Sequence, residues 1–123
     1  MLDTTLLGQK GEALTATYLK EQGFTILSTN YRTKRGEVDI IAQKGDVIAF
    51  VEVKTRLKKY FPISQVVTTT KQRRIALAAL DFALKHRLMQ QVLRFDVATV
   101  QCTDTTQELL YLPNAFQYST RRS

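Results

Sequence analysis

The sequence has one cysteine, one histidine and no tryptophan among its 123 residues. Cys102 cannot form an internal disulfide, and it has no cysteine or histidine neighbour at metal-ligand spacing, so we expect a small, buried or half-buried apolar side chain. No glycine-rich phosphate loop, Ser/His/Asp set or Cys/His nucleophile pair is present either. These absences argue against a disulfide scaffold and against nucleophilic catalysis by histidine or cysteine.

Long apolar runs and linker-like segments are missing as well. No stretch approaches the 18 or more apolar residues of a membrane span, and the start MLDTTLLGQKGE lacks the basic end and apolar middle of a secretory signal. There are only two prolines and five glycines, with no repeat and no low-complexity tract. We therefore expect a soluble, cytoplasmic protein without a membrane partner, folded as a single domain over residues 1–123, with a mobile tail at about residues 117–123.

Positive charge is abundant and concentrated in the middle of the chain. The net charge is +7, and the segment from Arg32 to Arg74 holds eleven Lys and Arg residues against four Asp and Glu residues, an excess equal to that whole charge. Such a segment is typical either of a solvated surface that keeps a protein soluble or of a surface that binds a polyanion. Both interpretations are open at this point.

The hydrophobic pattern and the turn signals predict two helices and several strands. Asp3 or Thr4 could cap the first helix and Gly23 could end it, while Thr69 and Gln72 resemble a capping box for the second. We predict a helix over about residues 5–22, a strand at Phe24–Ser28, a two-stranded hairpin within Gly36–Arg56, a helix from Thr69 to about Arg87, and strands at Val92–Val100 and Leu109–Leu112. This order predicts an α/β fold whose sheet lies between helices.

The hairpin has a register that its turn should fix. Gly45-Asp46 is a two-residue Gly-X loop of the kind that forms a type II′ turn. Counting back from this turn places Asp39 opposite Glu52 and Glu37 opposite Lys54. Paired residues in antiparallel strands point to the same face, and both faces are apolar nearer the turn. The sequence therefore predicts charged pairs where one face of a buried hairpin opens into a cleft.

Two neighbouring carboxylates on one face repel each other unless one binds a proton or both bind a cation. Mg²⁺ prefers carboxylate oxygens and a backbone carbonyl, which Asp39, Glu52 and the main chain at Val53 could supply, and it makes its bound water a better nucleophile. Lys54 could then hold a phosphate oxygen or orient the attacking water. This pattern favours phosphodiester chemistry. The residues leave open a second interpretation, in which Glu52 and Lys54 are the polar side of an amphipathic strand and form surface ion pairs.

Several motifs occur in a fixed order along the chain: GQKGEALTATYLKEQGFTIL, NYRTKRGEVDIIA, FVEVKTR, KQRRI, RFDVATV and PNAF. Together they resemble the PD-(D/E)XK nuclease superfamily, and over nearly its full length the chain is similar to the YraN family of bacterial proteins, which has the fold of archaeal Holliday junction resolvases. The resemblance implies a restriction-endonuclease-like αβββαβ core with a central mixed sheet flanked by helices. It also raises a homodimer as an expectation, because the resolvase-like relatives are dimers.

The same resemblance implies roles for individual residues. One departure is Val38, which stands where the superfamily name has proline and which bears on the shape of the turn more than on the fold. The implied cofactor is Mg²⁺ or Mn²⁺. The implied catalytic residues are Glu12 of the first helix, Asp39 at the "PD" acid, and Glu52 and Lys54 as the (D/E)XK pair, with Glu12, Asp39, Glu52 and Val53 holding metal and Lys71 or Gln72 as a polar residue at the head of the second helix.

Two functions follow as hypotheses. The first is a Mg²⁺-dependent endonuclease that hydrolyses DNA, in preference to RNA, with branched and single-stranded structures as candidate substrates. The second is a non-catalytic nucleic-acid-binding protein on the same fold, acting in DNA recombination or repair or in RNA metabolism. Under either hypothesis the predicted nucleic-acid contacts are Arg32, Lys34, Arg35, Arg56, Lys58, Lys59, Lys71, Gln72, Arg73 and Arg74.

The remaining polar and aromatic residues are assigned structural roles. His86 falls near the end of the second helix, where a cation offsets the helix dipole. Arg94 and Asp96 alternate with apolar residues and are predicted to form an exposed or cross-strand ion pair. Phe116 and Tyr118 are expected to pack the end of the chain onto the core.

Overall fold

The computed structural model describes residues 4–57, 67–103 and 105–118. The helices and strands within these ranges follow the predicted order. They are α1 (Thr4–Glu21), β1 (Thr25–Arg32), β2 (Glu37–Lys44), β3 (Val47–Leu57), α2 (Thr69–Lys85), β4 (Val92–Cys102) and β5 (Gln107–Phe116). Neither helix of these ranges has the length and apolar character needed to cross a membrane.

The five strands form one sheet in the order β1-β2-β3-β4-β5. Three neighbouring pairs are antiparallel, whereas β3 and β4 are parallel and are joined through α2, because a parallel pair needs a long crossover connection. Central strand β3 is buried on both faces over Ile48–Val51, which explains its continuous apolar run. The predicted α/β fold with a central mixed sheet is confirmed, and it is consistent with a restriction-endonuclease-like core.

The two helices cover opposite faces of this sheet. On one face Leu19 of α1 packs with Ile40 and Val51. On the other face Phe82 of α2 packs with Phe50, among other residues of the larger apolar cluster. The alternation of side chains along β2 and β3 therefore supplies both cores from the same strands.

Gly23 ends α1 as the sequence predicts. It has a φ of 94°, a left-handed conformation that favours glycine. The Phe24 N–H donates to the Leu19 carbonyl at 2.9 Å, and the Gly23 N–H donates to the Lys20 carbonyl at 3.0 Å. These two bonds form a Schellman motif, which satisfies the last carbonyls of the helix. The predicted cap Asp3 lies outside the described residues.

The cap of α2 is one residue earlier than predicted. Thr68, not Thr69, has the extended conformation of a cap, and its hydroxyl accepts a hydrogen bond from the Lys71 N–H at 3.3 Å. The Gln72 side chain donates to the Val67 carbonyl at 3.2 Å, so it does not complete the predicted box. Consecutive threonines are equally good caps, and only the tertiary position of the helix decides between them.

The predicted register of the β2–β3 hairpin is confirmed near its turn. Gly45 has a φ of 59°, and the paired residues run from Lys44 with Val47 to Ile40 with Val51. The backbone pairs end there. The predicted pairs of Asp39 with Glu52 and of Glu37 with Lys54 are therefore wrong as ladder partners.

Strand β2 changes faces at Asp39, which accounts for the early end of the ladder. Val38 packs in the α2-side cluster and Ile40 in the α1-side cluster, although alternate residues of a strand normally share a face. Strand β1 does the same, because Tyr31, which pairs with Val38, also packs on the α2 side. The residue before it, Asn30, has a left-handed φ of 53°. In both strands, the side chains change from one face of the sheet to the other at this level.

Several strands are longer than predicted. Asn30 suggests the end of β1 near Ser28, but it lies within the strand, which pairs with β2 as far as Arg32. Near the end of the chain, Phe116 stacks on Phe95 with ring centroids 5.1 Å apart, as expected. The predicted mobile tail lies, from residue 119 onward, outside the described residues.

The predicted ion pair of Arg94 and Asp96 is confirmed, but it is neither exposed nor cross-strand, because both residues lie in β4 and Asp96 is buried. Asp96 is fully buried, and the Arg94 guanidinium donates two hydrogen bonds to it at 2.9 and 2.8 Å. Its carboxylate also accepts from the Tyr111 hydroxyl at 2.5 Å and from the Asn114 N–H at 2.8 Å. Strand β4 lies inside the sheet, so its polar residues face other elements instead of solvent. Burial, followed by the charge of Asp96, raises the pKa of Tyr111.

Candidate active site

A cavity of about 220 Å³ opens between α1, the hairpin and the head of α2. It contains both acidic and basic side chains, and it lies where β2 changes faces. All four predicted catalytic side chains and Val53 meet there. The lining residues are Glu12 of α1, Glu37 and Asp39 of β2, Glu52, Val53 and Lys54 of β3, and Lys71, Arg74 and Ile75 of α2.

The Asp39 side chain accepts a backbone hydrogen bond beyond the last backbone pair of β2 and β3. Its Oδ2 accepts a hydrogen bond from the Val53 N–H at 2.8 Å, so the amide that has no ladder partner is satisfied by a side chain. Burial raises the pKa of Asp39 to about 8, and repulsion from Glu52 and, more weakly, Glu12 adds to this, while the Val53 hydrogen bond opposes it. A carboxyl with a strongly raised pKa in a cleft is a mark of functional sites.

Glu52 is the most deeply placed acid of the cavity. It is 7% exposed, and its Oε2 accepts a hydrogen bond from the Lys71 ammonium at 2.7 Å. The residues therefore form an ion pair between β3 and α2. The family resemblance implied Lys71 or Gln72 as a polar residue near the site, but no sequence signal indicated this pairing, because Lys71 and Glu52 are far apart in the chain.

Glu12 reaches the cavity because α1 lies very close to β3. A β-carbon added at Gly11 would come within 1.8 Å of the Thr55 Oγ1, so only glycine allows this approach. The carboxylate of Glu12 accepts a hydrogen bond from the Asn30 side chain at 3.2 Å. Asn30 was missed as a site residue, and its only sequence signal is an asparagine, a residue that tolerates left-handed φ, inside a strand.

Lys54 and Glu37 both line the cavity but do not pair with each other. Lys54 is half-buried, and its ammonium has no hydrogen bond or ion pair with another described residue. Glu37 instead pairs with Arg32 at 3.2 Å, with both side chains more than half exposed, so this contact contributes little to stability. The ammonium of Lys54, in a cavity lined by four acids, is therefore available to an anionic ligand.

The loop between β1 and β2 is packed tightly against the head of α2. A β-carbon at Gly36 would lie 1.8 Å from the Arg74 carbonyl oxygen, so a side chain does not fit there. The Thr33 hydroxyl accepts hydrogen bonds from the Arg35 and Gly36 N–H groups, each at 3.1 Å, which closes the loop. Lys34 and Arg35 of this loop line a separate cavity with Leu77, Asp81 and Lys85, in the middle and last turns of α2.

The predicted nucleic-acid contacts divide into three groups. Six are exposed, two are half-buried, and two lie outside the described residues. Lys34, Arg35, Arg56, Arg73 and Arg74 are exposed, Lys71 and Gln72 are half-buried with the contacts given above, Arg32 is exposed beside Glu37, and Lys58 and Lys59 lie outside the described residues.

The carboxylates fit a divalent cation only in part. Within residues 4–57, 67–103 and 105–118, no three acidic, histidine or cysteine side chains are arranged as a ready cluster for a metal ion. Burial first, and then repulsion from Glu52, raises the pKa of Asp39, and a cation would relieve this repulsion. Glu12, whose Oε1 accepts from Asn30, also adds to the raised pKa of Asp39. The donor set thus fits a hard cation held chiefly by two acids.

Comparison with known proteins shows where this chain has relatives. Residues 11–100 match the model of the family described as "Uncharacterised protein family UPF0102". The chain is 42% identical over 112 residues to a UPF0102 protein of Geobacter metallireducens, an alignment that covers 90% of this chain and 92% of the relative. It is 43% identical over 111 residues to one from Anaeromyxobacter dehalogenans, covering 89% and 83%. The matched range contains every residue that lines the cavity.

Proposed function

The chain belongs to the uncharacterised protein family UPF0102, and we propose that it is a divalent-metal-dependent endonuclease that hydrolyses phosphodiester bonds of DNA. The observation that carries this proposal is the meeting of Glu12, Asp39, Glu52 and Lys54 in one cavity, although they come from three separate elements. Phosphoryl transfer needs negative ligands for a cation and positive donors for a phosphate, and this cavity has both.

Each of these residues has a distinct proposed role. Asp39 and Glu52 would hold Mg²⁺ or Mn²⁺, with Glu12 and the main chain at Val53 as further ligands. A divalent ion bound there would supply the positive charge that activates water and stabilises the transition state. Asp39 is held in orientation by the Val53 N–H, and the unengaged ammonium of Lys54 can donate to a phosphate oxygen or to the attacking water.

The surface beside the cavity supports a nucleic-acid substrate. Arg74 lines the cavity, and the loop that carries Lys34 and Arg35 packs against the Arg74 carbonyl through Gly36. All three cations are exposed, and Lys34 and Arg35 lie on the side of the later turns of α2, so they would contact phosphates farther from the cavity than Arg74. Contacts of this kind to phosphates give affinity that is independent of sequence and weakens as salt rises. DNA with branched or single-stranded structure is the proposed substrate, and the homodimer and the cytoplasmic location stay predictions.

A cleavage assay tests this function directly. Labelled branched and linear DNA is incubated at low salt with Mg²⁺ or Mn²⁺, and we expect cleavage by the unaltered protein that EDTA abolishes. Asp39→Asn and Lys54→Met should each lower the rate at least about 100-fold while DNA binding persists. Lys10→Met is the matched control, because Lys10 is an exposed residue of α1 that does not line the cavity.

One observation favours the second function. The described acids do not form a ready three-ligand metal cluster, and Lys71 already neutralises Glu52. Both features suit a non-catalytic nucleic-acid-binding protein that uses this fold for DNA recombination or repair or for RNA metabolism. DNA binding without cleavage in either metal would support this alternative and refute the endonuclease.

A further inference from the structure

Lys71 connects the head of α2 to the buried acid of the candidate site. Its ammonium lies 2.7 Å from the Glu52 Oε2. The side chain of Glu52 is 9% exposed, whereas that of Lys71 is 43% exposed. The pair thus joins a partly exposed, flexible lysine to a nearly buried glutamate.

The position of Lys71 in its helix is electrostatically unfavourable. Thr68 is the cap, so Lys71 is the third helical residue, and the first turn contains no acid. The positive end of the helix dipole disfavours a cation there. The contact with Glu52, and not the stability of α2, therefore accounts for a lysine at this position.

A divalent ion and Lys71 would share the carboxylate of Glu52, whose Oε2 already accepts from the Lys71 ammonium. The two cations would then lie close together and repel each other. Lys71 is the partner that can leave, because its long stem is flexible and already half in solvent. The other cations of the cavity, Lys54 and Arg74, have no described bond to any acid.

We propose that Lys71 is a displaceable counter-ion of Glu52, which neutralises this acid when no divalent ion is bound and has to be moved aside when one binds. Lys71 therefore lowers the affinity of the site for divalent ions. This inference rests on one part of the proposed function, namely that Glu52 is a ligand of the divalent ion. It distinguishes Lys71 from Lys54 and Arg74, for which no contact with a metal-binding acid is proposed.

The test is the binding of Mn²⁺ alone to the full chain, measured by titration calorimetry after EDTA treatment and without nucleic acid. Lys71→Met should bind Mn²⁺ at least about fivefold more tightly than the unaltered protein, because no ammonium has to be displaced. Lys71→Arg keeps the charge and should stay within about twofold. Arg74→Met removes a charge from the same cavity without breaking a bond to an acid, and it should also stay within about twofold.

Two outcomes would overturn the inference. One is equal or weaker Mn²⁺ binding by Lys71→Met, and the other is equal tightening by Lys71→Met and Arg74→Met, which would reveal only a general effect of charge. Lys71→Gln is the substitute if Lys71→Met does not fold without metal. A larger rise in its melting temperature on adding Mn²⁺, relative to the unaltered protein, is then the expected result.

The variant Asp39→Asn shows whether a negative result refutes only the counter-ion role of Lys71 or also the proposed metal-dependent function. If the unaltered protein binds Mn²⁺ and Asp39→Asn abolishes binding, the metal site stands whatever Lys71→Met does. If neither the unaltered protein nor Lys71→Met binds Mn²⁺, the counter-ion role and the metal-dependent function both fail.

Discussion

The Val53 N–H and the Asp39 carboxylate form a 2.8 Å hydrogen bond at the level where β2 and β3 stop pairing. The bond gives a backbone donor of the central strand a side-chain acceptor in place of a neighbouring carbonyl. It also holds Asp39 in the cavity beside Glu52, where burial and then repulsion from Glu52 raise its pKa. The structure thus keeps in a fixed place a carboxyl that is costly to ionise, which is a common property of reactive sites.

The charge state of Asp39 should make stability depend on pH. Burial and then repulsion from Glu52 raise its pKa from 3.8 to about 8, so the folded protein holds this proton more tightly than the unfolded chain does. The resulting stabilisation is fully present below about pH 4 and is lost as pH rises towards about 8. Asp39→Asn cannot ionise and should gain more than about 1 kcal/mol relative to the unaltered protein across that range. Urea denaturation in EDTA measures this, and parallel pH profiles would contradict it.

Gly36 should not tolerate a side chain. A β-carbon there would meet the Arg74 carbonyl oxygen at 1.8 Å, and a backbone atom cannot swing aside. We expect Gly36→Ala to lower the free energy of unfolding by about 2 kcal/mol in urea denaturation. Gly8→Ala is the control, because nothing lies within 4 Å of its added β-carbon, and within α1 it should gain about 0.5–1 kcal/mol. Equal effects of the two substitutions would refute the close contact.

Gly11 and Thr55 should be energetically coupled. The added β-carbon of Gly11→Ala meets the Thr55 Oγ1, a buried atom without a hydrogen bond to the described residues. Gly11→Ala should cost about 1–3 kcal/mol, and at least about 1 kcal/mol less when Thr55→Ala is also present. A double-mutant cycle by urea denaturation measures this coupling. Additive costs would mean that α1 can shift away from β3.

The buried carboxylate of Asp96 should depend on Arg94. Arg94→Met leaves Asp96 charged and buried with only the Tyr111 and Asn114 donors. Because the Arg94 side chain is itself 26% exposed, we expect a loss of about 2–4 kcal/mol, near the lower part of the range for broken buried pairs. Arg94→Met with Asp96→Leu should recover much of this loss in thermal or urea denaturation. A double variant no more stable than Arg94→Met would contradict this account.

The sequence predicted best the features that local chemistry decides. Gly45-Asp46 fixes the hairpin register, and Gly23 ends α1, because a two-residue turn and a left-handed cap leave few alternatives. It could not reveal that the register ends at Ile40, since this depends on a change of faces that β1 makes at Asn30. The misjudged burial of Asp96 has a similar cause, because alternation along a strand does not say what covers its second face.

The candidate site shows the same division. The convergence of Asp39, Glu52 and Lys54 on one cavity was predicted from their spacing around a turn, and that of Glu12 from a family resemblance. The partners of two of these acids, Asn30 and Lys71, are set by how α1 and α2 dock on the sheet. No local sequence pattern predicts how either helix packs on the sheet.

The close contact between Gly36 and Arg74 also limits how the loop and the helix can move relative to each other. The backbone of the β1–β2 loop at Gly36 is in direct contact with the backbone of α2 at Arg74, one turn after Lys71. The β1–β2 loop therefore cannot move towards α2 without displacing the helix whose Lys71 contacts Glu52.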